Sequence, residues 1–210
     1  MLSKRLTLAL LLAVVVSLSL VSVAFAQGDD QKKFQADLNP LNRSGASGTV
    51  HLSLEDTRLT STMVRSHGLA PELPHAQHIH GMAQAISECP TLRAADDNDD
   101  GLLNTVEGVP FYGPIAVSLT TRGDTSPASG LAVDRFPVAN EGGSLQYTRT
   151  FGIPSKVARN LGDFAIVQHG VDLNGNGKYD FRAAGKSELD PTLPQEATIP
   201  ANCGVIDRVH

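Results

Sequence analysis

The segment His75-Ala76-Gln77-His78-Ile79-His80-Gly81 packs three of the chain's seven histidines into six residues. Side chains on a β-strand alternate between faces, so His78 and His80 share one face while Ile79 takes the other. Two neutral imidazoles on one face make a chelate suited to copper, zinc, nickel or iron rather than calcium or magnesium. The alternative is a hydrogen-bonded surface pair with no ion.

Oxygen ligands cluster elsewhere. The run from Asp96 to Glu107 fits a twelve-residue calcium loop of the EF-hand kind. Asp96, Asn98, Asp100, Asn104 and Glu107 occupy positions one, three, five, nine and twelve, Leu102 offers its carbonyl at seven, and Gly101 permits the sharp turn at six. Five carboxylates in twelve residues repel one another without a cation. A second run repeats the pattern with Asp172, Asn174, Asn176 and Asp180 at one, three, five and nine, Gly177 at six and the Lys178 carbonyl at seven. Its twelfth position is Ala183, so it should bind calcium more weakly unless Glu188 or Asp190 folds back. The alternative for either run is an Asx-rich turn needing no ion. Pro90 and Pro110 bracket the first run, which therefore reads as a loop grafted on a β scaffold and not as one between two long helices.

The elements that must position these groups read as strands. Short apolar runs of period two, separated by Gly, Pro, Asn, Asp and Ser clusters, indicate an all-β sandwich or barrel. Strands are expected near Phe34–Leu38, Thr49–Leu54, Leu59–Val64, Ala76–His80, Ile115–Thr121, Gly130–Phe136, Ser144–Thr150 and Phe164–His169, with a short one at Cys203–Ile206. His51 alternates with Val50 and Leu52 and should face solvent. Ser155 to Gly162 predicts a short helix with Ser155 as N-cap. Two long connections, Met82–Pro114 and Gly170–Asn202, carry the two acidic runs and need something to hold them.

Lys4 and Arg5, an apolar run from Leu6 to Val23 and Ala24-Phe25-Ala26 read as a secretory leader, residues 1–26, cleaved before Gln27. The run is also long enough for a retained anchor. Residues 27–210 would then be one extracellular or cell-envelope domain, with no membrane contact after cleavage. Losing two basic residues takes Lys+Arg from 17 to 15 against 22 acids, and the formal net charge from −5 to −7. An acidic chain without tryptophan or a basic run argues against nucleic acid as partner. The two cysteines, Cys89 and Cys203, most simply form one disulfide in an exported protein. No Ser/His/Asp order, phosphate loop or carboxylate pair outside the acidic runs supports hydrolysis or nucleotide chemistry.

Taken together, these residues resemble the copper/zinc superoxide dismutase family. Ala76-Gln77-His78-Ile79-His80 looks like the family's His-Val-His copper strand, Ile166-Val167-Gln168-His169 like its Val-Val-His strand, and Cys203-Gly204-Val205-Ile206 like its terminal cysteine segment, with Cys89 as partner. His75 matches a histidine that sits behind the copper. The resemblance implies a Greek-key β-barrel or sandwich of about eight strands with two long metal-binding loops. It also implies a copper site at His78, His80 and His169, and superoxide as substrate. The first half, from Phe34 through Gly68-Leu69 to Gly81, also resembles bacterial CHRD (chordin-type) domains, secreted β modules mostly without assigned activity.

Departures bear on the chemistry. No histidine lies between His80 and His169, so the bridging ligand and the zinc histidines are missing, and Pro200 stands where the family has an active-site arginine. Calcium is expected to order the long loops in place of zinc. His67 is the only nearby candidate for a fourth ligand or proton donor, though a surface-loop histidine is the better reading. Lys178 and Arg182 are candidates to guide an anion. Three functions follow: dismutation, copper storage or sequestration, and a non-enzymatic module braced by calcium. The sequence says nothing of oligomeric state.

Overall fold

Alternation sets the strands. In β1 (Lys32–Pro40) Phe34, Ala36 and Leu38 are buried and Asp37 is exposed; in β2 (Ser47–Glu55) Val50, Leu52 and Leu54 are buried and His51 faces solvent, as its spacing predicts. The structure, a computed structural model, describes residues 31–81 and 85–209, and only the backbone of 62–65. The leader lies outside the described residues. Among them no helix is long and apolar enough to cross a membrane.

The fold is mostly antiparallel β. Further strands are β3 (Arg58–His67), β4 (Gln77–His80), β5 (Ile115–Ser118), β6 (Leu145–Gly152), β7 (Ala165–His169), β8 (Pro200–Val205) and β9 (Asp207–Val209). They form one sheet in the order β5-β4-β7-β8-β1-β2-β3-β6, with β9 on β1. The sheet turns at β1, whose Lys32–Leu38 pairs with β2 and whose Asn39–Pro40 pairs with β8. Both halves contribute to one core, Phe34, Leu52, Leu54 and Leu59 from one side, Ile79, Val117 and Ile166 from the other. No strand pairing joins β5 to β6 among the described residues. Side chains bridge that gap instead: Tyr147 Oη and Arg149 Nη1 donate to the Thr120 carbonyl at 3.1 and 2.7 Å.

Register decides which side chains share a face. β4 pairs with β7 so that His78 lies opposite Val167 and His80 opposite Ala165. By the period of two, Ala165, Val167 and His169 therefore share the face of His78 and His80. Cys203 lies opposite Val167 on β8 and joins them. Every residue of β4 and β7 is buried, because the core covers one face and the long connections cover the other. On that second face Tyr112, Ala165, Val167 and Cys203 form a small cluster, with Leu41, Cys89 and Val109 packed against it.

Three local expectations differ from the structure. Gly130–Phe136 is not a strand. The Asp124 carboxylate accepts from Ser126 N, Ser126 Oγ and Ser129 Oγ at 3.1, 2.7 and 2.6 Å, and Pro127 fixes the next turn, so two 3-10 turns form at Pro127–Ser129 and Val133–Arg135. Strand β5 stops at Ser118, where the chain diverges to bond Thr121 N to the Arg135 carbonyl at 2.7 Å. The helix α3 (Ser155–Arg159) is capped by Pro154 without a side-chain bond, not by Ser155. The first acidic run is flanked by no pair of long helices, in keeping with its sequence: α1 (Leu92–Ala95) before it has four residues, and α2 (Thr105–Tyr112) after it has eight and continues through Pro110. Its start is fixed by a capping box: Asn104 Oδ1 accepts from Glu107 N, and Glu107 Oε2 accepts from Asn104 N.

Cys89 and Cys203 form the disulfide, tying the first connection to β8 across 114 residues of sequence. By loop entropy this link contributes about 4 to 5 kcal/mol at most. Cys89→Ala/Cys203→Ala should lower unfolding free energy in urea by about 2 to 5 kcal/mol. Hydrogen exchange should quicken first at α1 and α2, and unchanged exchange there would contradict the tethering role.

Candidate metal centre

Each of the three histidines gives one ring nitrogen to a backbone carbonyl. His78 Nε2 donates to Gly130 O at 3.0 Å, His80 Nδ1 to Gly113 O at 2.8 Å, and His169 Nδ1 to Thr198 O at 2.7 Å. A neutral imidazole has one N–H, so these bonds fix the tautomers and leave His78 Nδ1, His80 Nε2 and His169 Nε2 as lone pairs. Those three atoms are buried and have no hydrogen-bond partner. One ring nitrogen from each of the three histidines lies within 4.8 Å of the others. A buried polar atom without a partner costs about 1 to 3 kcal/mol, and here three of them face one point. Small rotations toward metal–nitrogen distances of about 2.0 Å would let one ion satisfy all three. The donor set fits a metal of the copper or zinc kind.

The carbonyls come from three separate segments. Gly113 follows α2, Thr198 ends α4 (Gln195–Thr198), and Gly130 lies in the turns after β5. A Cβ at Gly130 would sit 2.6 Å from Ile115 Cδ1, the tip of a side chain that would have to shift to make room. The rings are packed as well as bonded: Tyr112 stands 4.6 Å from His80 and Phe136 5.3 Å from His78, centroid to centroid. His75 supports the group from behind, its Nδ1 2.9 Å from His169 O and its Nε2 3.0 Å from Ala70 O. Two carbonyl neighbours favour the imidazolium there, but burial outweighs them and lowers its pKa.

Burial also lowers the pKa of the three ligands: His78 well below the ordinary value, His80 to about 3, His169 to about 4. Repulsion from His169 adds to the effect at His78 and His80. At neutral pH all three rings are uncharged, the state a metal requires.

The acidic runs adopt two matching loops. In the first, Asp96 accepts from Asp100 N and Gly101 N at 3.1 and 3.0 Å, and the two Glu107 oxygens accept from Asp97 N at 3.1 Å and Asn104 N at 2.9 Å. In the second, Asp172 accepts from Asn176 N and Gly177 N at 3.2 and 2.7 Å. Asn98 and Asn174 accept from Asp100 N and Asn176 N, and Leu102 N and Lys178 N donate to Asp100 and Asn176. Gly101 and Gly177 both have φ of +80°. The place of Glu107 is taken in the second loop by Glu196, whose oxygens accept from Leu173 N at 2.8 Å and Asp180 N at 2.7 Å. Neither Glu188 nor Asp190 supplies it; Asp190 instead accepts from Thr192. Glu196 lies 24 residues beyond Asp172, outside the reach of any loop motif. Asn42 was equally hidden: it clamps the first loop by pairing with Leu103 N and O at 2.6 and 2.8 Å and donating to Pro200 O at 2.9 Å.

Other candidates stand apart. His67 is exposed and meets Ser47 Oγ at 3.1 Å, so it is not a fourth ligand. Arg182 is exposed, 4.0 Å from Asp180. Neither Arg182 nor Lys178 lines the cavity over the imidazoles.

A histidine whose folded pKa is below its unfolded value of about 6.5 stabilises the fold fully above that value and progressively less as pH falls toward the folded pKa. Between the two values the unfolded chain binds more protons than the folded one. The metal-free protein should therefore lose urea resistance between pH 6.5 and 4, by up to about 1.4 kcal/mol per pH unit for each buried histidine. A flat profile over that range would contradict the neutral, buried assignment.

No family model matches this chain, and no curated protein does so either.

Proposed function

We propose that this is an exported copper-binding β domain on a superoxide dismutase-like Greek-key scaffold, holding one copper through His78, His80 and His169 and braced by calcium in its two acidic loops. One observation carries the reading: three clustered, buried histidines, each with one ring nitrogen held by a backbone carbonyl and the other without a partner. Copper, when bound, supplies a one-electron couple and Lewis acidity. The scaffold reading is supported by the sheet turned at β1, by the register that aligns the three histidines, and by the disulfide joining the first connection to the terminal strands. Export is supported by that disulfide and by the leader-like start of the sequence. The CHRD resemblance fits the same scaffold without turnover.

Holding copper is favoured over dismutation. An enzyme for superoxide needs a cation to draw in an anion and a group to deliver protons. Among the described residues the cavity lining offers neither, since its only ionisable side chains are those of the three histidines. The chain's own groups bind, orient and exclude water.

Copper titration should give one site with nitrogen hyperfine structure in electron paramagnetic resonance. His78→Ala and His169→Ala should each weaken copper binding at least about a hundredfold. An unchanged spectrum in both variants would overturn the reading. Xanthine oxidase/cytochrome c assays should show no more activity than free copper; strong catalysis would favour dismutation instead.

The calcium reading rests on the paired loops, with Asp96, Asn98, Asp100, Leu102, Asn104 and Glu107 as ligands in one. In the other they are Asp172, Asn174, Asn176, Lys178, Asp180 and, in place of a twelfth-position acid, Glu196. Calcium at a hundredfold over its dissociation constant adds about 2.7 kcal/mol, or roughly 5 to 10 °C of melting temperature. Glu107→Gln and Glu196→Gln should each remove a large part of that shift. A chelator without effect on the native melting temperature would exclude calcium.

A further inference from the structure

Above the three lone pairs lies a cavity of about 30 Å³, walled by Ile115, Leu131, Val133, Leu189, Leu193 and Ala197 besides the histidines. Resting on the copper reading, we propose that this cavity admits one small uncharged ligand of diatomic size, such as carbon monoxide or dioxygen, beside reduced copper, and disfavours small anions.

Size sets the first limit. About 10 to 15 Å³ accommodates one water, so the chamber takes about two to three non-hydrogen atoms. Its lining sets the second. An anion leaving water needs donors to replace its hydration, and every nearby donor is committed. The three imidazole N–H groups go to carbonyls, Thr105 Oγ1 donates to Thr198 O at 2.6 Å, and Thr198 Oγ1 donates to Ser187 Oγ at 2.8 Å. Among the described residues no cationic side chain lines the space. Arg135, close in sequence to Val133, is turned to Ser129 Oγ and the Asp124 carbonyl, and Arg122 is paired with Asp134. An anion entering would have the metal alone to offset the loss of its hydration. A neutral diatomic gives up little hydration and meets a mostly aliphatic wall, with Thr105 and Thr198 already engaged in their own hydrogen bonds. Leu131 and Leu189, 41% and 43% exposed, form the rim, so the route in from solvent is apolar too.

The test uses the full chain carrying one equivalent of copper. Reduced, it is titrated with carbon monoxide and followed by the infrared C–O stretch; oxidised, it is titrated with azide and followed by paramagnetic resonance. The native protein should bind carbon monoxide and leave its copper spectrum unchanged by azide. Ala197→Leu, which fills the chamber, should retain copper while weakening carbon monoxide at least about tenfold. Leu131→Lys, at the exposed rim, should make the spectrum responsive to azide. The proposal is overturned if azide perturbs native protein as strongly as Leu131→Lys, or if reduced, copper-loaded protein takes up no carbon monoxide. Failure to retain copper at all is seen before either ligand is added, and overturns the underlying copper reading with it.

Discussion

The centre depends on three N–H···O=C hydrogen bonds, from His78 to Gly130, His80 to Gly113 and His169 to Thr198, each of which consumes a ring's single proton and leaves the opposite nitrogen facing inward. Without them the rings could adopt either tautomer, and three buried imidazoles would find other partners. With them, the fold carries three unmet acceptors at one point. That is a cost to the metal-free chain and a preorganised chelate for an ion.

The remainder of the structure serves those carbonyls. Thr198 O accepts from both His169 Nδ1 and Thr105 Oγ1, so α2 and α4 meet at the atom that orients a ligand. Each of these short helices also carries the glutamate that closes an acidic loop, Glu107 on α2 and Glu196 on α4. The loops and the histidines are thus joined through short rigid connections. On the same face the disulfide fastens the segment before α1 to β8, beside Val167.

Much of this was legible in the sequence, for definite reasons. Period-two alternation located β1, β2, β4 and β7 because one face of each packs on the core, and His-x-His declared a shared face without any tertiary knowledge. Convergence of His169 was implied only by resemblance, since no local rule sets the register of β4 on β7. The segment Gly130–Phe136 misled because its apolar residues line a cavity wall built from turns, which alternation alone does not distinguish from a strand. Glu196 was invisible for a different reason. A loop motif assumes that the closing acid follows in sequence, whereas here α4 returns it through space. The orienting carbonyls carry no side-chain signal at all.

The most direct measurement of the central claim is long-range proton–nitrogen correlation of the histidine rings, in metal-free protein and after one equivalent of monovalent copper. Metal-free, His78 should be protonated at Nε2, and His80 and His169 at Nδ1. Copper should then move the resonances of His78 Nδ1, His80 Nε2 and His169 Nε2 together, leaving His51 and His67 unchanged. A different tautomer at any of the three, or a copper response confined to one or two of them, would contradict the account.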